Sequence, residues 1–217
     1  MSQPLLLIFA GPNGSGKSSC YEALTKTLHP KLQANIVNPD VFALKLTQGL
    51  GFNNTNELNP DIKAQVDIKA GKLALKAREQ LLANKEDLII ETTASSPSLL
   101  RLITKAKQLG YFTRIVFMML NSPQLNITRI KHRVSLGGHF IDDLTVQRRY
   151  DRAINLLPQL ITAADHFQLF DNSTLPQQIL LKKANLDLMV NTAALSTLAT
   201  SEQDTIKHLL SKLNLPK

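Results

Sequence analysis

Residues 5–9 form an apolar run without polar alternation, the pattern of a strand covered on both faces of a parallel sheet. The run breaks into a glycine-rich turn, and residues 17–28 then predict a helix stopped by Pro30. Strand and helix keep alternating. Residues 34–37 read as a short buried strand ending at Asn38-Pro39-Asp40, and Val41 onward as helix. Residues 48–60 are rich in Gly and Asn and read as an irregular connection, on the ligand side if it serves substrate recognition. Residues 62–84 predict a long helix whose core face carries Ile62, Val66, Ala70, Leu73, Ala77 and Leu81. A strand at 87–91 and a helix at 98–109 closed by Gly110 follow. The apolar run 112–120 is the clearest central strand, and its methionine pair reads as core. A helix at 122–136 ends at Gly137-Gly138, a second helix follows Asp143, and a last strand spans 166–170. Beyond residue 175 the alternation fades, and two helices are expected at 185–198 and 203–213.

The first turn carries the earliest chemistry. Gly11, Gly16, Lys17 and Ser18 fit G-x-x-x-x-G-K-[ST], the phosphate-cradling P-loop. Glycines let successive N–H groups curl inward onto phosphate oxygens, and the following helix adds the positive end of its dipole. Gly11, Pro12, Asn13, Gly14, Ser15, Gly16, Lys17, Ser18 and Ser19 are therefore the expected nucleotide contacts, joined by Asn172 at the end of the last strand. Lys17 brings a cation to the outer phosphates, and the Ser18 hydroxyl suits Mg²⁺. In open parallel sheets ligands gather beyond the carboxyl ends of strands. Asp40 and the Glu91-Thr92-Thr93 group stand at two such ends. No downstream strand ends in the apolar-to-Asp pattern of motor ATPases, so Asp40 and Glu91 are the candidates for acidic work, and Ser18 with Asp40 the candidate metal ligands. Asp40 also reads as a helix N-cap, and Glu91 to Thr93 as a capped turn. Arg129 and Arg133 share a helix face, and Arg148, Arg149 and Arg152 follow on the next helix. Two arginine-bearing helices around a Gly-Gly hinge suit a lid over phosphates, spanning about 129–152, and equally a solvated basic face. The whole predicts an α/β three-layer sandwich of the P-loop NTPase class with about five mainly parallel strands, a kinase domain over 1–174, and a helical extension over 175–217 packed on it.

Composition narrows the partners. The 217 residues are 43% hydrophobic and 19% charged, as in ordinary globular chains. Net charge is +8, which suits nucleic acid or an anionic nucleotide, but 5% aromatics and no Trp leave little for stacking single strands, so nucleic acid is not the expected partner. Cys20 alone permits no intrachain disulfide. With no apolar run of membrane-spanning length, the expectation is a cytoplasmic protein without a membrane partner.

These residues, in their order, resemble the zeta toxin family of P-loop kinases, and more closely its zeta-toxin-like predicted ATPases. The blocks are GPNGSGKSS from Gly11, NPD ending at Asp40, ETT from Glu91, RVSLGGHFI from Arg133, RRYDRAINL from Arg148 and LFDNS ending at Ser173. The resemblance implies a phosphotransferase using ATP and Mg²⁺, acting on a small-molecule hydroxyl. In the toxins that acceptor is a UDP-activated amino sugar, and an antitoxin protein is the implied partner. Asp40 would be the general base, Glu91, Thr92 and Thr93 would hold the acceptor, and Arg133 with His139, Arg148 and Arg149 would offset charge on the transferred group. Asp142 stands where the zeta-toxin-like proteins carry proline, and His139 where the toxins carry arginine. Beside this stand a kinase of nucleotides, NAD-like molecules or nucleic-acid ends, and an ATP-dependent regulatory binding protein without kinase activity.

Overall fold

The computed structural model describes residues 3–25, 35–136, 138, 140–174, 177–196, 204, 207 and 211. Strand β1 (Leu5–Ala10) sends Leu6, Ile8 and Ala10 to one face and Leu7 and Phe9 to the other, and both sets are buried. A strand flanked on both faces has no polar side to show, which is why its sequence is continuously apolar. Around it lie β2 (Ile36–Val37), β3 (Leu88–Thr92), β4 (Phe112–Met119), β5 (His166–Asp171), β6 (Gln178–Ala184) and β7 (Asp187–Val190) in the order β2-β3-β1-β4-β5-β6-β7. β1 to β5 are parallel, and β6 and β7 join antiparallel at one edge.

The larger core, on the Leu6 face, takes side chains from α3 (Pro60–Ala83), α4 (Ser98–Gln108), α6 (Asp143–Ala163) and α7 (Thr192–Ser196). The opposite face is covered by α1 (Lys17–Thr25), whose Tyr21 ring meets Phe9 edge-on at 5.4 Å. Between them in sequence, α2 (Pro39–Gly49) and α3 pack on each other through Ala43, Val66 and Ala70, with a 3₁₀ turn (Thr55–Glu57) and the buried Leu58 in the connection. Helix α5 (Pro123–Ser135) is capped by the Ser122 hydroxyl and leads towards α6.

The result is a mixed α/β fold built on a seven-stranded, mostly parallel sheet. Two expectations are corrected. Of the face expected on α3, Val66 and Ala70 are buried and Ala77 and Leu81 pack against the core, joined by Ala74 and Leu82, while Ile62 and Leu73 are more than a third exposed. The helix expected over 185–198 is replaced by a hairpin: β6 and β7 turn at Asn185-Leu186, and among the described residues of that span 192–196 are helical. The extension thus opens by widening the sheet rather than as helices laid on it. The other expected tail helix, 203–213, lies outside the continuously described residues. Among the described residues, no helix is long and apolar enough to cross a membrane.

Candidate phosphate-transfer site

The turn after β1 needs glycine for steric reasons that are visible atom by atom. Gly11 has φ +137, and a Cβ there would sit 2.0 Å from the Met118 carbonyl oxygen of β4. Gly16 has φ +93, and its Cβ would sit 2.2 Å from Asn172 Nδ2. The first obstacle is backbone of a central strand and has nowhere to go. A Gly11→Ala variant is therefore expected to melt roughly 5–10 °C lower, from strain of about 1–3 kcal/mol plus the clash. An unchanged melting temperature in a thermal scan would show that the turn is not held against β4 as described.

Two asparagines and an arginine fix the loop from outside. Asn172 Nδ2 donates to the Ser15 carbonyl at 2.9 Å, and the buried Asn126 of α5 donates to the Asn13 carbonyl at 2.5 Å. Arg149 of α6 donates to Asn13 Oδ1 at 3.2 Å. Asn172 acts here as a clasp on the loop backbone that also borders the cleft. Asn126 had no sequence signal, because a lone Asn inside an otherwise regular helix reads as a surface residue.

Lys17 opens α1 with its ammonium 2.8 Å from the Pro12 carbonyl, and only 6% of the residue is exposed. Burial pushes its pKa from 10.5 down to about 8; Arg133 and Arg149 push the same way, and Glu91 and Asp40 oppose. Below pH 8 the folded state carries the full cost of a buried charge. Between 8 and 10.5 the unfolded chain binds more protons, so this group's contribution to stability improves as pH rises through that window.

Around Lys17 a cleft of about 680 Å³ opens at the carboxyl ends of β1, β2 and β3. Asp40 borders it from the first turn of α2, exposed and free of capping duty, since the Asn38 side chain takes the cap by accepting from the Asp40 N–H. Glu91, Thr92 and Thr93 border it from the end of β3. Ser18 Oγ donates to Glu91 Oε1 at 3.1 Å, so the carboxylate beside the loop serine is Glu91, where Asp40 had been expected as its metal-ligating partner. Serine hydroxyl plus carboxylate on an open cleft is an oxygen donor set that fits Mg²⁺, which completes its shell with water and phosphate. Among the described residues there is no cluster of three or more His, Cys, Asp or Glu that would hold a metal by itself.

Arg129, Arg133 and Arg149 reach the cleft from α5 and α6. Arg129 is spent largely on structure, donating to the Asn172 and Ser173 carbonyls. Gly138 follows Arg133 closely: its N–H donates to the Arg133 carbonyl, and a Cβ would collide with Arg133 Cγ at 2.6 Å. Arg148 does not reach the site. It is exposed and bonds to Thr145, because neighbouring residues on a helix point about 100° apart and Arg149 takes the inward direction. His139 lies outside the described residues.

The zeta toxin family model matches residues 1–185. The chain belongs to the zeta toxin family. The family member's curated relatives include an uncharacterized protein of Haemophilus influenzae, 26% identical over 144 residues, 66% of this chain and 91% of that one. Among solved structures it is similar to a chain of the PezAT toxin-antitoxin system of Streptococcus pneumoniae, with TM-score 0.61, 17% identity and coverage of 99% of this chain and 87% of that one. It is also similar to a chain of the AvrRxo1-ORF1:-ORF2 complex with ATP, with TM-score 0.65, 17% identity and coverage of 91% of this chain and 65% of that one. The family member thus spans just under two thirds of that AvrRxo1 chain. At such identities the structural likeness speaks to the fold.

Proposed function

We propose that the protein is a P-loop kinase that moves the γ-phosphate of ATP to the hydroxyl of a small molecule. The observation that carries the reading is the meeting of Lys17 and Asp40 on one cleft, a phosphate-gripping cation facing an uncommitted carboxylate. The loop amides and Lys17 hold the β- and γ-phosphates. Asp40 accepts the proton of the attacking hydroxyl, and Arg133 and Arg149 offset charge on the phosphoryl group in flight. Ser18 and Glu91 are the residues that would hold Mg²⁺, which when bound neutralises phosphate oxygens. Thr92 and Thr93 offer hydroxyls for orienting the acceptor. Family membership and the ATP-bound AvrRxo1 complex support ATP as donor. The acceptor we infer is the UDP-activated amino sugar that the resemblance to the zeta toxins implies, and the PezAT likeness supports an antitoxin protein as partner.

Incubating the protein with ATP, Mg²⁺ and a metabolite extract tests the reading by mass spectrometry. A metabolite alcohol gaining one phosphate is the expected result; release of inorganic phosphate alone would reduce the protein to a hydrolase or a regulatory binder.

Nucleotide binding also has an expected proton signature. A triphosphate beside Lys17 favours its charged form, so ATP binding near pH 8–9 takes up protons and weakens as pH rises beyond about 8. Calorimetry in buffers of different ionisation enthalpy reads this directly, and zero proton uptake would place the phosphates away from Lys17.

A further inference from the structure

Asn38 sits between the two acidic residues of the cleft and touches both. Its Oδ1 accepts from the Asp40 N–H at 2.9 Å, capping α2, and its Nδ2 donates to Glu91 Oε2 at 3.3 Å. The amide's orientation is forced, since a backbone N–H can only donate and must face the oxygen, which turns the NH₂ towards Glu91. The other Glu91 oxygen accepts from Ser18. A single side chain thus joins the start of α2, which carries Asp40, to the end of β3, which carries Glu91, and through Glu91 to the loop serine.

We propose that Asn38 is a positioning residue that holds the Glu91 carboxylate against Ser18, ready for the divalent cation of the nucleotide, while fixing the backbone that presents Asp40. A carboxylate with several rotamers loses freedom on ligating a metal, and a neutral donor on its far oxygen removes part of that loss beforehand. The donor's neutrality matters. A lysine there would compete with the cation for the same carboxylate, and an aspartate would repel it. Serine at position 38 separates the two duties, because Ser caps a helix as well as Asn does but its short hydroxyl, occupied with the Asp40 N–H, lacks the second arm.

This inference rests on the kinase reading, and the test keeps the two apart. ATP affinity is measured by calorimetry with Mg²⁺ and with EDTA for wild type, Asn38→Ser, Glu91→Gln and the double variant, each with a melting temperature. Asn38→Ser is expected to melt near wild type and to bind ATP equally in EDTA, while the extra affinity conferred by Mg²⁺ falls about tenfold. In the Glu91→Gln background the same substitution is expected to change that Mg²⁺ increment little, since both act through one carboxylate. An undiminished Mg²⁺ increment in Asn38→Ser overturns the proposal and leaves the kinase reading standing. So does an Asn38→Ser effect of equal size with and without Glu91. Wild-type protein that binds no ATP at all removes the kinase reading and this inference together.

Discussion

Asp40→Ala protein is expected to transfer phosphate about 10²- to 10⁴-fold more slowly than wild type while binding ATP with near wild-type affinity. The split follows from position. Asp40 borders the cleft from α2, across from the loop that grips the phosphates, and it makes no contribution to that loop's hydrogen bonds. The rival explanation, loss of a helix cap, is separable because Asn38 is the cap. Removing an acidic residue from an exposed first turn costs about 0.3–1 kcal/mol of stability, too little to mimic a lost general base. Transfer of label from γ-labelled ATP into organic product, measured beside ATP affinity and melting temperature, checks all three. Turnover within a few fold of wild type would remove Asp40 from the mechanism.

The second large effect belongs to Arg149. A guanidinium that meets the transferred phosphoryl is worth about 10³- to 10⁵-fold in rate, and Arg149 alone among the arginines of α6 turns inward to the loop. Arg149→Ala is therefore expected to lose activity on that scale, with Lys restoring only part of it because an ammonium cannot reproduce the planar fork. Arg148→Ala is expected to stay within about twofold, since its side chain faces solvent beside Thr145. Equal losses at the two positions, in the same labelled-ATP assay, would mean that Arg148 also reaches the transferred group during turnover.

How far the chain could be read in advance depended on whether one local rule governed each segment. β1, β4 and the loop between Gly11 and Ser18 were legible because burial on both faces and phosphate-loop sterics each leave few acceptable residues. The hairpin of β6 and β7 was not. Its turn uses Asn185 at φ +54 followed by Leu186, where a glycine would have announced the reversal, and its strands carry Lys182 and Lys183 because they approach the sheet's edge. The buried face of α3 was legible in part: the helical period gave Val66, Ala70, Ala77 and Leu81, while the small Ala74 carries little hydrophobic signal and Ile62 and Leu73 lie at the stripe's exposed margin. At the site, residue types gave Lys17, Asp40, Glu91 and Arg149. The clasps Asn126 and Asn172, the outward turn of Arg148 and the two-way contact of Asn38 depend on distances across 53 to 157 residues of sequence or on helix rotation, and only coordinates supply them.

The central claim is geometric: a triphosphate held at Lys17 with Asp40 facing its outer end. A crystal structure with Mg²⁺ and a non-hydrolysable ATP analogue tests it most directly. The account predicts the γ-phosphate on Lys17 and the loop amides, with the Asp40 carboxylate one hydroxyl's width beyond it. An analogue seated elsewhere, or an Asp40 carboxylate turned away from the γ-phosphate, would contradict it.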